Sequence, residues 1–225
     1  MARHGNSRHL NRLASSRYAK LSKKTAKYLA KPAPGRHKLL RSVALLALLR
    51  DKLGVAANAS EARKIIKGGG VQVNGRRVSD DRYPVGFGDV VELVQTKEAY
   101  AVGVGKGGVI RIEKAKAHDR TLKVVGKYLA RGKKVMLRLY DGSAVAGDEG
   151  VKVNDSVVLS GGKVKAVLRF VSGARCIVID GAHASEAGVI REIKAGNATT
   201  VAEVKVESGG AIFETPADNV MVVGD

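Results

Sequence analysis

The first fifty residues of this 225-residue chain contain thirteen Lys and Arg side chains and no Asp or Glu. Arg3, His4, Arg8, His9, Arg12, Lys20, Lys23, Lys24, Lys27, Lys31, Arg36, His37, Lys38 and Arg41 are the cations and imidazoles expected to act there, with Arg17 and Arg50 beside them. Groups of one sign at this density cannot neutralise one another. They need a dense polyanion, and each phosphate they neutralise releases condensed counterions. The chemistry is phosphate binding, and RNA is the natural polyanion. With six Tyr, three Phe and no Trp, platforms for stacking single-stranded bases are few. Contact with phosphates and with the shape of a folded RNA is therefore favoured.

A second set lies further on. Ser60, Arg63, Lys64 and Lys67 follow i, i+3, i+4, i+7 spacing, while Ala62, Ile65 and Ile66 point the other way. Three cations with no anion on one helix face suit a phosphate backbone better than plain solvation. Arg76 and Arg77 follow Asn74-Gly75, the strongest short hairpin signal. Two cations at a hairpin tip can reach into a groove.

Other chemistries are weaker. Gly103-x-Gly105-x-x-Gly108 matches a dinucleotide fingerprint on paper, but Val109-Ile110-Arg111-Ile112 after it reads as a strand, not the helix a pyrophosphate needs. There is no Gly-Lys-Ser or Gly-Lys-Thr. The histidines at 4, 9, 37, 118 and 183 lack the spacing of a zinc site. Cys176, the only cysteine, lies in an apolar run, so a Cys176–His183 catalytic pair gives way to a buried thiol. Asp80-Asp81 reads as a solvated turn. No cofactor, metal or catalytic residue is expected.

The elements that must carry these groups can be placed. Residues 1–42 read as a basic extension, expected to be disordered without RNA, with any helix near 17–29 ending before Lys31-Pro32. Ser42 is the expected N-cap of a helix over 43–53 that Gly54 stops. Asn58 and Glu61 have capping-box spacing for a second helix ending at Gly68. Then come the Asn74-Gly75 hairpin, a turn at Gly88-Asp89 and a strand over 90–93. From about residue 95 short alternating strands and glycine turns predominate, as in small barrels. Asn154-Asp155 followed by 156–159 echoes Gly88-Asp89 followed by 90–93, which reads as recurring turn chemistry. Net charge is +19, yet residues 181–225 hold three basic groups against seven acidic ones. That end is expected to face solvent or a basic protein, with Arg169 and Arg175 at its start still reaching RNA. The longest apolar run is too short to span a bilayer, and a single cysteine fits a reducing cytoplasm.

Residues 42–93 resemble an S-four-type RNA-binding domain, through Ser60-Glu61-Ala62-Arg63, Val71-Gln72-Val73-Asn74-Gly75 and Gly88-Asp89. Gly173, Gly181 and Gly188-Val189-Ile190 resemble a KOW motif. With Pro34-Gly35-Arg36-His37-Lys38-Leu39, Leu49-Arg50-Asp51-Lys52-Leu53 and the end at Phe213-Glu214-Thr215-Pro216-Ala217-Asp218-Asn219-Val220, nearly the whole chain resembles the S-four-e family of archaeal and eukaryotic small ribosomal subunits. The stop soon after Val220 favours the archaeal branch. The resemblance implies a multi-domain α+β chain: a basic extension (1–42), a small α/β S-four-type domain (43–94), a β-rich central domain (95–168) and a KOW-type SH3-like β-barrel (169–225). It implies a non-enzymatic constituent of the cytoplasmic ribosome, not a homo-oligomer and not membrane-bound, whose partners are small-subunit ribosomal RNA and neighbouring ribosomal proteins. Arg63, Lys64, Lys67, Arg76 and Arg77 fall on its RNA-facing surface. The alternative is a stand-alone RNA-binding or RNA-modifying factor that uses the same domain as its handle.

Overall fold

Backbone pairing begins inside the basic arm: β1 (His9–Asn11) runs antiparallel to β2 (Tyr28–Ala30). The computed structural model describes residues 7–115, 119–197 and 201–224. The chain is mostly β with few helices, in two units: residues 1–103 with 109–117, and 104–108 with 118–225.

In the first unit the described part of the arm, residues 7–42, packs onto the core. The helix expected near 17–29 is replaced by a 3-10 turn at Arg17–Ala19 that Lys20 ends at φ 42°. Ala19, Leu21 and Leu29 are buried in the unit's core. One buried arginine explains how so cationic a segment docks. Arg12 donates to Ser22 O at 2.7 Å and to Asp51 Oδ2 at 3.1 Å, with its side chain only 3% exposed. Burial raises the Asp51 carboxyl pKa, but Arg50 and Arg12 more than offset this and hold it below the ordinary value.

Ser42 does not cap a helix. β3 (Ser42–Ala44) pairs across the unit with Pro84–Gly86, so its backbone groups are taken by a strand. Ala44 precedes α1 (Leu45–Ala47), which continues as a π-helical turn over Leu48–Lys52. There the Leu53 N–H reaches the Leu48 carbonyl at 2.9 Å, and Gly54 at φ 66° stops the turn as expected. Leu45, Leu46, Leu48 and Leu49 are all buried, which fixes this segment by packing. In α2 (Ala59–Lys67), Asn58 Oδ1 accepts from Glu61 N at 2.9 Å. Glu61 Oε2 reaches back to Ala57 N at 2.7 Å, one residue earlier than the usual box. Ala62 and Ile66 are buried, and Ser60, Arg63, Lys64 and Lys67 are exposed.

β4 (Val71–Val73) and β5 (Arg76–Arg77) are joined by Asn74 at φ 55° and Gly75 at φ 74°, the two positive angles of a type I′ turn. After β6 (Pro84–Gly86) come β7 (Val90–Leu93), β8 (Glu98–Gly105) and β9 (Val109–Ala115). The sheet order is β5-β4-β7-β8-β9. The sheet therefore continues past the expected boundary at 94, because β8 pairs with β7 from Val90 opposite Ala101 to Leu93 opposite Glu98. Gly107 and Gly108 sit at positive φ between β8 and β9. A strand follows the glycines, so this is a hairpin and not a phosphate loop.

The second unit holds two five-stranded antiparallel sheets. The first contains β10 (Arg120–Leu129), β11 (Val135–Leu139), β12 (Ala144–Ala146), β13 (Ser156–Ser160) and β14 (Lys163–Leu168), in the order β12-β11-β10-β13-β14. β10 serves both halves. Its first part pairs with β13 and its second with β11, with a bulge between Val124 and Gly126. The second sheet contains β15 (Arg175–Val178), β16 (Ala187–Lys194), β17 (Glu203–Ser208), β18 (Ala211–Pro216) and β19 (Val220–Val222), in the order β18-β17-β16-β15-β19. Gly188 is needed here, since a Cβ would collide with the Glu207 carbonyl and Val206 on β17.

The echoed turns share one device. Gly86 N donates to Asp89 Oδ2 at 3.0 Å while Asp89 N bonds the Gly86 carbonyl at 3.2 Å; Lys152 N and Asp155 do the same at 2.9 and 3.3 Å. Gly88 and Asn154, each just before the Asp, take positive φ. A carboxylate folded back on its own turn launches a strand in both places.

Lys123 links the two sheets of the second unit. It is 2% exposed, and its ammonium donates to Ala217 O at 2.6 Å. Burial pushes its pKa down to about 8, with Asp218 only partly opposing. Between about pH 8 and the unfolded lysine value the unfolded chain binds more protons, so stability rises with pH there and is lost as pH falls to 8. Chemical denaturation should show a gain of about 2 kcal/mol from pH 7.5 to 9.5 that Lys123→Met lacks. Equal pH profiles for the two proteins would refute this account of Lys123.

Candidate nucleic-acid interface

The cations expected to bind RNA divide by burial. Arg8, His9, Lys20, Lys23, Lys24, Lys27 and Lys38 are exposed on the arm, and Lys31, Arg36 and Arg41 are half-buried. Arg3 and His4 lie outside the described residues. Arg12 is sealed against Asp51 and presents no charge to a ligand.

His37 is also internal, with its side chain 5% exposed and Nε2 2.7 Å from Asp89 Oδ2. Its ring lies against Gly86, where a Cβ would come within 2.6 Å of Nδ1. Asp89 also accepts from Asn74 Nδ2 at 2.7 Å, and Asn74 Oδ1 accepts from Val90 N at 2.9 Å. Burial raises the Asp89 carboxyl pKa, but His37, Asn74 and the Gly86 N–H more than offset this and keep it below its ordinary value. One buried carboxylate thus holds the arm's exit, the hairpin turn and the start of β7. The Asn74-Gly75 turn that projects Arg76 and Arg77 is tied from beneath.

The arm and α2 converge on one groove of about 740 Å³, with Arg8, His9 and Tyr28 on one side and Arg63 and Lys67 on the other. Arg50 and Arg82 also line it. The α2 face is not free of anions, since Asp81 accepts from Arg63 Nε at 2.9 Å. Arg63 stays half-exposed, and among the described residues its two terminal nitrogens have no partner. Arg77 passes close to Gly69, just beyond α2, so Arg77 continues the helix face. Ser60 and Lys64 are exposed on α2, outside the groove.

Arg82 and Tyr28 are the charged and aromatic groove residues that sequence reasoning did not single out. Arg82 Nε donates to Lys31 O at 3.1 Å and its carbonyl takes Ala33 N at 2.7 Å, so it pins the arm. Its signal was a cation directly after Asp80-Asp81. Tyr28 is 51% exposed between Lys27 and Leu29. An aromatic placed among lysines and left in solvent was the available clue.

The second unit is electrostatically different. On β16, β17 and β18, Arg191 pairs with Glu207, Lys194 with Glu214 at 2.8 Å, and Lys205 with Glu192 at 2.7 Å. The cations of these three strands are committed to neighbouring carboxylates. Arg169 is half-exposed against Asp155, and Arg175 is exposed. Cys176 is buried, which pushes its thiol up to about 11, while His183 stacks on Phe213 at 3.9 Å and faces Glu186. A thiol held protonated is a poor nucleophile.

A family model for the S4 domain matches residues 45–91, covering α1, α2 and the hairpin, and one for ribosomal family S4e matches residues 100–165. The small ribosomal subunit protein eS4 of Methanocella arvoryzae is 34% identical over 219 residues, covering 96% of this chain and 94% of the relative. Its counterpart in Archaeoglobus fulgidus is 35% identical, with 96% and 93% covered. The crystal structure of the 30S ribosomal protein S4e from Thermoplasma acidophilum superposes with a TM-score of 0.69 at 28% identity, covering 82% of this chain and 95% of that one. With relatives this similar along almost its whole length, the chain belongs to the ribosomal S4e family.

Proposed function

We propose that this protein is a structural constituent of the small ribosomal subunit that binds ribosomal RNA through its basic arm, α2 and the Arg76–Arg77 hairpin. The observation that carries the reading is the convergence of Arg8, Arg63 and Lys67 on one groove, continued by Arg77. Family membership supports a non-enzymatic role in the cytoplasmic ribosome, and the archaeal relatives fit the archaeal branch. The internally paired charges on β16–β18 favour a neighbouring ribosomal protein or solvent as the contact of that surface. We read residues 169–225 as a KOW-type SH3-like module and residues 95–168 as the central β-rich part, with the protein acting as one copy per subunit. Among the described residues no helix is long and apolar enough to cross a membrane.

The test is the salt dependence of binding to isolated small-subunit ribosomal RNA. The Arg63→Ala/Lys67→Ala double variant should reduce the slope of log K against log salt by about two, one for each phosphate that is no longer neutralised. An unchanged slope would remove α2 from the interface.

A further inference from the structure

We propose that the groove between the β1–β2 ribbon and α2 takes one unstacked nucleotide, its base on the His9–Tyr28 pair and its phosphate between Arg8, Arg63 and Lys67. This rests on the RNA-binding reading and specifies what that site recognises.

Three observations converge on it. The first is a built aromatic corner. His9 and Tyr28 face each other across the β1–β2 ribbon with ring centroids 4.9 Å apart at 74°. Tyr28 is 51% exposed and lies on the groove wall. Its neighbour in the arm, Tyr18, is already engaged by Arg17 and Arg41 at 5.1 and 5.6 Å from its centroid. Among the described residues, the one cation over the Tyr28 ring is the Lys27 ammonium, 5.4 Å from its centroid. A base stack on an aromatic is worth more than an exposed cation–π contact, so a base can displace Lys27 and leave that ammonium for a phosphate.

The second is phosphate chemistry on the lining of the same groove. Asp81 holds Arg63 by Nε alone, which orients the guanidinium and leaves both terminal nitrogens for a bidentate phosphate. Lys67 lies one helical turn further along the same face. The third is size: about 740 Å³ holds a nucleotide but not a duplex. A duplex hides its base faces, whereas an unstacked nucleotide offers one face and one phosphate to such a site.

The experiment compares the full-length protein binding an eight-residue adenine RNA and the abasic strand of the same length. Wild type should prefer the base-bearing strand by about tenfold, within the range of one base–aromatic stack. Tyr28→Ala should abolish that preference without changing affinity for the abasic strand or the salt slope, and Tyr28→Trp should retain it. Arg63→Ala should weaken both strands alike. Equal affinity of wild type for the two strands, or equal loss on both in Tyr28→Ala, overturns the nucleotide site while RNA binding stands. Failure to bind either strand or ribosomal RNA would overturn the RNA-binding reading itself.

Discussion

Asp89→Ala should destabilise the first unit by about 4 kcal/mol, because it leaves His37, Asn74 and the Gly86 N–H buried without their shared acceptor. Asp89 is 1% exposed, so water cannot replace the carboxylate. A loss of that size is comparable with the total stability of many small domains. Asp89→Asn keeps an acceptor for the Gly86 N–H and should cost less. It should also flatten the acid limb of stability. The folded pKa of Asp89 lies below its unfolded value. The stabilisation is therefore present above the unfolded carboxylate pKa and is lost as pH falls through the folded one. Urea titrations followed by far-UV circular dichroism, with hydrogen exchange at Val73 and Val90 as the local readout, measure both effects. A loss below about 1 kcal/mol in Asp89→Ala would mean that the three donors find other partners.

The sequence and the structure part company according to how far away each partner lies. Asn74-Gly75 and the Asn58–Glu61 cap were legible because their determinants sit within four residues. The echo of Asp89 in Asp155 was legible for the same reason, although its mechanism needed the two carboxylates placed over their own turns. Ser42 looks like a cap in the sequence, but its partners, Pro84–Gly86, are some forty residues on and turn its backbone into a strand. Arg12 and His37 look like RNA ligands in a uniformly cationic arm. Their acidic partners, Asp51 and Asp89, lie 39 and 52 residues later, so neither burial nor pairing shows locally. The extension of the first sheet beyond residue 94 was hidden in the same way, since only the pairing of β8 with β7 shows it. The groove was half legible. The α2 cations follow from helical spacing, but Tyr28 becomes notable only when the ribbon sets it beside His9 and opposite Arg63.

Neutralising Lys20, Lys23, Lys24 and Lys27 together to Gln should lower affinity for small-subunit ribosomal RNA by about 300-fold at 0.15 M salt, with the fold intact. All four side chains are exposed in the stretch between β1 and β2, and none contributes to the buried core that docks the arm. If each neutralises one phosphate, their loss should reduce the slope of log K against log salt by about three. The electrostatic difference closes near 1 M salt, and about 0.8 decades separate that from 0.15 M, which gives about two and a half orders of magnitude. Arg12→Met is the control of opposite character. It removes an arm cation that is 3% exposed, so stability should fall while the salt slope per folded molecule stays constant. Filter binding across a salt series, with circular dichroism to establish folding, separates the two outcomes. A slope change below one in the quadruple variant would mean that these lysines only solvate the arm. RNA affinity would then have to come from other cations, among them Arg8, Arg63 and Lys67 of the groove and Arg76 and Arg77 of the hairpin.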